Sequence, residues 1–302
     1  MKIAITGGDG FLGKHAARLL DRRGHQVVRL SRRSGVDLAD VPALRAALLG
    51  CDAVVHAAGI NRELGGQTFD RVHRRGTANV LAAAAAAGVR RVVYVSFLRA
   101  RPGCGSPYHQ SKWDAEEMVR ASGLEYVVLK PGIVYGPGDH MLDHLSRTLK
   151  TLPVFALMGR EAQPMRPAAV DDVAEVIAAA CFDPRLARKT VAVVGPEEMT
   201  LRTAVERVAA AHGLRARFVR APLWVHRMLA ACFELAMVVP LAARAQVRIL
   251  SETLAEPLPA CDVLPDDLRP RARLDEWRIR AAQPAPAPFG LADLRCSGRA
   301  SP

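Results

Sequence analysis

The sequence lacks the cysteine and histidine spacings that hold metal. Its six cysteines, Cys51, Cys104, Cys181, Cys232, Cys261 and Cys296, include no C-x-x-C pair. That is the pattern of reduced, structural thiols. The nine histidines contain no H-E-x-x-H or related pattern, so no metal site is expected. An uncharged run long enough to cross a bilayer is also missing. The most apolar stretch, 222–254, carries His226, Arg227, Glu234 and Pro240, whereas a spanning helix needs about 18 residues with few or no charges. Nothing resembling a leader precedes the first strand, since Met1 is followed at once by Lys2-Ile3-Ala4-Ile5; a cytoplasmic protein is expected. Negative charge is scarce: 30 acidic side chains face 42 basic ones, a net charge of +12. The surplus is mostly arginine, spread along the chain without a nucleic-acid motif. It is read first as a solvated basic surface and second as one that meets the inner face of a membrane, with no nucleic acid partner.

Half of the 302 residues are hydrophobic, enough for a large core in one domain or in a nucleotide domain with a smaller companion. The first thirty-three residues organise the rest. The apolar run Lys2 to Ile5 enters Thr6-Gly7-Gly8-Asp9-Gly10-Phe11-Leu12-Gly13, followed by a helical pattern from Lys14 to Arg23. Strand, glycine turn and helix in that order form a dinucleotide fingerprint. The glycines permit a tight turn, a close backbone approach to pyrophosphate and close helix packing. The free N–H groups at the helix start then favour the phosphate charge.

The next strand, Gln26 to Leu30, runs into Ser31-Arg32-Arg33. An NAD site usually places a carboxylate here, about twenty residues beyond the glycines, to accept from the ribose 2′-hydroxyl. A hydroxyl and two guanidiniums suit a 2′-phosphate instead, so NADP(H) is favoured over NAD(H) as cofactor.

Further along, Pro42 to Leu49 is a helix opened by Asp40 and stopped by Gly50, and Ala53 to His56 a third strand that ends in Ala57-Ala58-Gly59. Phe69 to Ala87 reads as one helix, whose alanines 82 to 87 allow close packing on a sheet. Arg91 to Ser96 and Glu125 to Leu129 are the fourth and fifth strands. This alternation implies an α/β fold, a doubly wound parallel sheet of the Rossmann type. The expected division is 1–138 for the dinucleotide-binding domain, 139–282 for a smaller mixed α/β lobe that supplies the substrate pocket, and 283–302 for a disordered tail. The lobe includes a helix from Asp171 to Phe182 and a strand from Thr190 to Val194. Residues 222–254 are expected to form a buried helical hairpin, with an interfacial amphipathic segment making peripheral membrane contact as the alternative.

Tyr108-His109-Gln110-Ser111-Lys112 opens a helix. Residues four apart on a helix share a face, with Cβ atoms about 6 Å apart, so the Lys112 ammonium is expected to lower the Tyr108 phenol pKa toward the range useful for proton transfer. The same interval at Tyr126 and Lys130 lies on a strand, where it spans roughly 13 Å. Ser96, at the end of the fourth strand, adds a hydroxyl to orient a substrate carbonyl.

Together with Asp37-Leu38, His56-Ala57-Ala58-Gly59, Gly76-Thr77-x-Asn79-Val80 and Pro131-Gly132-x-Val134-Tyr135-Gly136, these motifs resemble the short-chain dehydrogenase/reductase superfamily in its extended or atypical, epimerase/dehydratase-like branch. Residues 160 to 255 are more loosely similar to bacterial relatives of the NADPH-binding accessory subunit of respiratory complex I. The resemblance implies that Gly7, Gly10, Phe11 and Leu12 hold pyrophosphate, Asp37 and Leu38 adenine, and Ala57, Ala58 and Gly59 the ribose region. Lys112 would hold the nicotinamide ribose, and the backbone after Pro131 the carboxamide. His73 replaces the family's frequent asparagine, Lys130 its arginine before Pro-Gly, and Phe97-Leu98 follow Ser96 in place of the dehydratase Thr-Asp-Glu set. The expectation is an oxidoreductase acting on a small-molecule carbonyl or alcohol through Ser96, Tyr108 and Lys112. The alternatives are an accessory, nucleotide-binding protein and, third, a sugar-nucleotide epimerase or dehydratase.

Overall fold

Strand β1 (Lys2–Thr6) shows why the chain builds in layers: Ile3 and Ile5 point to one side and Ala4 to the other, and all three are fully buried. A strand covered on both faces belongs in a parallel sheet between two layers of helices. The computed structural model describes residues 1–63, 65–152, 154–158, 163–237, 247, 254–283, 286–290 and 293.

After β1 come α1 (Phe11–Arg22), β2 (Gln26–Leu30), α2 (Val41–Leu48), β3 (Ala53–His56), α3 (Gly76–Ala86), β4 (Arg91–Val95), α4 (Pro107–Ala121) and β5 (Glu125–Pro131). Next are β6 (Val134–Tyr135), α5 (His140–Thr151), β7 (Val154–Met158), β8 (Pro164–Met165), β9 (Ala168–Ala169) and α6 (Val170–Ala180). The series continues with β10 (Lys189–Val193), β11 (Met199–Thr200), α7 (Leu201–Ala211), β12 (Arg217–Ala221) and α8 (Leu223–Ala236). Asp40 caps as the sequence singles out, and Ser106 is a second cap of the same kind. Asp40 accepts from Ala43 N–H at the head of α2 and Ser106 from His109 N–H at the head of α4, each with proline in the first turn.

Six strands form one parallel sheet in the order β2-β1-β3-β4-β5-β10, the expected Rossmann-type fold. Ile3, Ile5, Val93 and Val127 pack with α1 and α6 on one face. Ala4, Val92 and Val128 pack with α2, α3 and α4 on the other, where Ala83 and Ala84 let α3 lie close. The chain leaves β1 for β2 and then returns past it to β3, so the strand order reverses between β1 and β3. A crevice opens at such a point, at the carboxyl ends of the strands.

Two compact units emerge. The first comprises Met1–Val134, Ala168–Pro196 and Glu256–Ala272; the second Tyr135–Pro167, Glu197–Ala255 and Arg273–Pro302. This departs from a single cut after residue 138, because β10 joins the sheet and α6 packs on its face. Without β10, the edge of β5 would expose Val127 and Leu129; Val191 and Val193 close it, and α6 packs on α1. In the second unit β7 pairs with β12, β8 with β11, and α7 with α5 and a short helix, Glu276–Ala282.

Three expectations need correction. The helix expected from Phe69 begins as a π-helical turn, Asp70–Arg75, and becomes α-helical at Gly76. A buried hairpin over 222–254 is not what the described part shows: α8 buries only Ala230 among its fourteen residues, and 238–246 and 248–253 lie outside the described residues. Of the tail expected to be disordered, Phe289 N–H donates to Thr151 Oγ1 at 2.8 Å and Asp293 pairs with Arg147 at 2.9 Å; residues 284, 285, 291, 292 and 294–302 lie outside the description.

Candidate functional site

The glycine turn is built by close approach. Gly7 has φ +69°, and a Cβ there would stand 2.8 Å from the Ala58 backbone. Gly13 lets α1 settle on the turn, since its Cβ would lie 2.2 Å from the Gly7 carbonyl oxygen. Gly8 packs on Arg29, and Gly10 donates its N–H to the Gly7 carbonyl at 2.8 Å. Gly10 caps α1 without a side-chain bond, and no acidic residue stands in the first turn. The N–H groups of Phe11, Leu12 and Gly13 occupy the turn for which a helix has no internal acceptor. Such a cradle fits a pyrophosphate by both shape and charge.

At the end of β2 the Ser31 hydroxyl donates to the Asp9 carboxylate. Ser31 also caps a 3-10 turn, Arg32–Ser34, which holds Arg32 and Arg33 exposed. The expected 2′-phosphate residues therefore stand beside the glycine loop, together with a carboxylate that the motif leaves unspecified. Asp37 accepts from Ala39 N–H at 2.8 Å, and the Leu38 carbonyl from the Asn79 amide at 2.8 Å. Gly76 makes room for the Leu38 side chain, 2.9 Å from where a Cβ would be.

Tyr108, Lys112 and Glu116 follow one another at four-residue intervals on the buried face of α4. Rings of Phe69, His73, Phe97 and His109 surround the Tyr108 ring, with centroids 5.4–5.8 Å away. The Lys112 ammonium donates to the Val95 carbonyl at 3.0 Å and lies 5.2 Å from the Tyr94 ring centre. A Cβ on Gly59 would be 3.1 Å from Lys112 Nζ and 3.4 Å from His73 Nε2. The loop Ala57-Ala58-Gly59, His73 and Lys112 thus converge at the ends of β3 and β4.

His73 is fixed as one tautomer. Its Nε2 accepts from Ile60 N–H at 3.1 Å, so its Nδ1 carries the proton and donates to Ser111 Oγ at 2.8 Å. Ser111 in turn donates to the Tyr108 carbonyl at 2.9 Å. The π-helical turn carries His73 inward; π-turns recur at functional sites. His56 bridges Thr6 at 2.6 Å and Thr77 at 3.0 Å. Burial first, and then the Lys112 charge, lowers His56 to about 3 and His73 to about 2, so both rings are neutral.

Burial also lowers Lys112 to about 8, opposed by the Glu116 charge. The Tyr108 phenol is pushed up from its usual value, by burial. This corrects the expectation that Lys112 lowers it: in the protein alone the ring cage dominates, and the ammonium is bound to Val95. Ser96 likewise differs from expectation. Its hydroxyl donates to Glu116 Oε1, so toward a ligand its oxygen is arranged to accept, not donate.

Glu116 is the residue that motif reading missed. Fully buried, it accepts from Ser96, from Lys130 at 2.9 and 3.2 Å, and from Arg120 at 2.7 Å. Extending the Tyr108–Lys112 stripe by one more turn reaches it. Lys130 also donates to the Ala100 carbonyl at 2.9 Å, a structural task consistent with its place on a strand. The Pro131 carbonyl accepts from Leu98 N–H at 2.8 Å, and Gly132 N–H donates to Val193 at 3.2 Å.

Residues 7–184 match the family described as NAD(P)H-binding. Over 237 residues the chain is 31% identical to the ceramide reductase of Caulobacter vibrioides, covering 73% of each protein. It is 28% identical over 218 residues to NADH dehydrogenase (ubiquinone) 1 alpha subcomplex subunit 9, mitochondrial, of Mus musculus, covering 65% of this chain and 57% of that one. The solved structure of Thermus thermophilus UDP-glucose 4-epimerase in complex with NAD matches with a TM-score of 0.60 at 27% identity, over 74% of this chain and 86% of that one. Reductase, respiratory-subunit and epimerase relatives are all present, as the motif set implied.

Proposed function

The chain belongs to the NAD(P)H-binding family, and from that premise we propose that it is an NAD(P)(H)-dependent oxidoreductase acting at a carbonyl or alcohol. The observation that carries this reading is Tyr108, caged by rings, one helical turn from Lys112 and close to the nucleotide edge of the sheet. Bound nicotinamide supplies or removes the hydride. Burial, by raising its pKa in the protein alone, makes the Tyr108 phenol the weaker acid; like any phenol it is protonated at neutral pH, and so is in the form that gives a proton to a carbonyl oxygen. That state favours reduction, the activity for which the Caulobacter relative is named. Lys112 brings a positive charge to the ribose side, and Ser96 offers an acceptor that orients a hydroxyl.

NADP(H) over NAD(H) is part of the proposal. Support comes from the absence of a carboxylate within Ser31-Arg32-Arg33 and from the two exposed guanidiniums there. Asp9 acts against it and sets how strong the preference is. Failure of Arg32→Glu and Arg33→Glu to weaken NADPH relative to NADH would remove this part of the assignment.

The principal test follows NADPH absorbance with a broad panel of ketones and aldehydes. Tyr108→Phe is expected to lower turnover by about 10²–10⁴ while nucleotide affinity holds. One observation favours a second reading, an NADPH-binding accessory protein with little turnover: the Ser96 hydroxyl already donates its hydrogen bond to a buried carboxylate. Nucleotide binding without any substrate in the panel would decide for that reading.

A further inference from the structure

The second unit carries a helix that is apolar on two opposite sides. Along α8 and its C-cap, His226, Ala230, Phe233 and Met237 recur at four, three and four residues, and this is the less exposed side. Ala230 and Met237 are buried, and His226 Nε2 is 3.2 Å from the Ala156 carbonyl of β7. Trp224, Met228, Cys232 and Leu235 recur at four, four and three residues on the opposite side. There Trp224 is 66% exposed, Met228 54% and Leu235 77%. A helix with apolar residues only on its core side is the ordinary surface case; a second apolar side calls for another apolar medium.

Charge identifies that medium. Between Glu206 and Glu234 the sequence has no carboxylate side chain but carries Arg207, Arg215, Arg217, Arg220 and Arg227. Arg207 is held by Glu197. Arg215, Arg217 and Arg227 are exposed, beside β12, on it and on α8, and Val219 adds an exposed apolar side chain on β12. A second copy of the chain would bring its own net charge of +12 against this surface, which disfavours self-association. No helix among the described residues is long and apolar enough to cross a membrane. The 14 residues of α8, at about 1.5 Å each, are also shorter than the roughly 30 Å of a hydrocarbon core.

We infer that α8 and β12 form a docking surface for an anionic lipid bilayer, with α8 lying in the plane of the headgroups. Trp224, Met228 and Leu235 enter the boundary between headgroups and acyl chains, and Arg215, Arg217 and Arg227 meet the lipid phosphates. Tryptophan suits this depth because its ring is apolar while its N–H is polar.

The test uses the full-length protein and vesicles of phosphatidylcholine, alone or with about one-third phosphatidylglycerol. The protein is expected to float with the anionic vesicles at least tenfold more than with the neutral ones, and to be released in about 1 M NaCl, where the Debye length falls to about 3 Å. Leu235→Ser, and Arg217→Glu with Arg227→Glu, are each expected to weaken flotation at least tenfold, while melting temperature and nucleotide affinity stay those of the parent. As a measurement on conservatively altered protein, brominated acyl chains should quench tryptophan fluorescence in the parent and distinctly less in Trp224→Phe. Absence of flotation with anionic vesicles overturns the inference, as does flotation that both surface variants leave unchanged. Lipid-free self-association abolished by Leu235→Ser overturns it in favour of a second copy as the occupant.

Discussion

Glu116→Gln removes one charge and almost no volume from the core behind Ser96, and the structure predicts that this is more damaging than removing the charge of its partner. Lys130 is as buried as Glu116, and its ammonium has the Ala100 carbonyl and the Glu116 carboxylate as hydrogen-bond acceptors. Taking the carboxylate charge away leaves a buried cation facing an amide, a loss of about 3–5 kcal/mol by analogy with broken buried pairs. The reverse change is milder. In Lys130→Met, Glu116 keeps Arg120 at 2.7 Å and the Ser96 hydroxyl, and an apolar chain fills the volume, so about 1–2 kcal/mol is expected. With about 2–4 °C per kcal/mol for a domain of this size, thermal unfolding should show Glu116→Gln melting about 6–20 °C lower and Lys130→Met about 2–8 °C lower. The double variant should recover much of the Glu116→Gln loss, because neither charge then remains unpaired. Lys130→Met melting as low as or lower than Glu116→Gln would refute the reasoning, as would a double variant no better than Glu116→Gln.

Other perturbations test the remaining parts. Burial depresses Lys112 to about 8 in the folded protein, below its usual value, so the unfolded chain binds the extra proton between about pH 8 and 10.4 and folding stability from this group rises with pH across that window. Lys112→Met is accordingly expected to raise the melting temperature below pH 8 and to lose its advantage by pH 10, which a melting series with pH measures. Asp9→Asn removes the carboxylate that accepts from Ser31, and isothermal titration should show NADPH gaining several-fold over NADH; an unchanged ratio would clear Asp9 of any role in cofactor choice. Gly13→Ala forces a methyl group to within 2.2 Å of the Gly7 carbonyl oxygen, so α1 must shift, and nucleotide affinity should fall at least tenfold while the circular dichroism of the sheet and helices remains.

The parts of the molecule that could be read directly are those written in local periods. Ile3, Ala4 and Ile5 alternate between two buried faces, and Gly7 to Gly13 sit between a strand and a helix, so sheet, turn and helix follow from neighbours in the chain. Asp40 and Pro42 likewise announce the helix that follows β2. The return of β10 was not legible in this way. Thr190 to Val194 reads as a strand, but its place beside β5 depends on an edge about sixty residues earlier that is apolar on both faces; such pairing is a property of the sheet as a whole. α8 is the converse case. Its apolar content suggested burial, yet which side meets the protein depends on where β7 runs.

The same division explains the site. A tyrosine and a lysine four residues apart on a helix share a face whatever surrounds them, so their pairing is a local fact. Their acidities are not local. The Tyr108 phenol lies among rings from two other segments of the chain, Phe69 with His73 and Phe97, and its burial raises the phenol. Ser96 shows the consequence for chemistry. A serine at the end of β4 reads as a donor for a carbonyl, but Glu116, brought beneath it by α4 and balanced by Lys130 from β5, accepts its hydrogen bond. For Ser96 to polarise a carbonyl, the hydroxyl must turn away from Glu116, leaving that carboxylate with Lys130 and Arg120. For it to accept from a substrate hydroxyl, nothing need move. The presence of two cations on Glu116 makes the first of these affordable, because the carboxylate does not lose its last partner, while the oxidoreductase reading built on Tyr108 needs only the second.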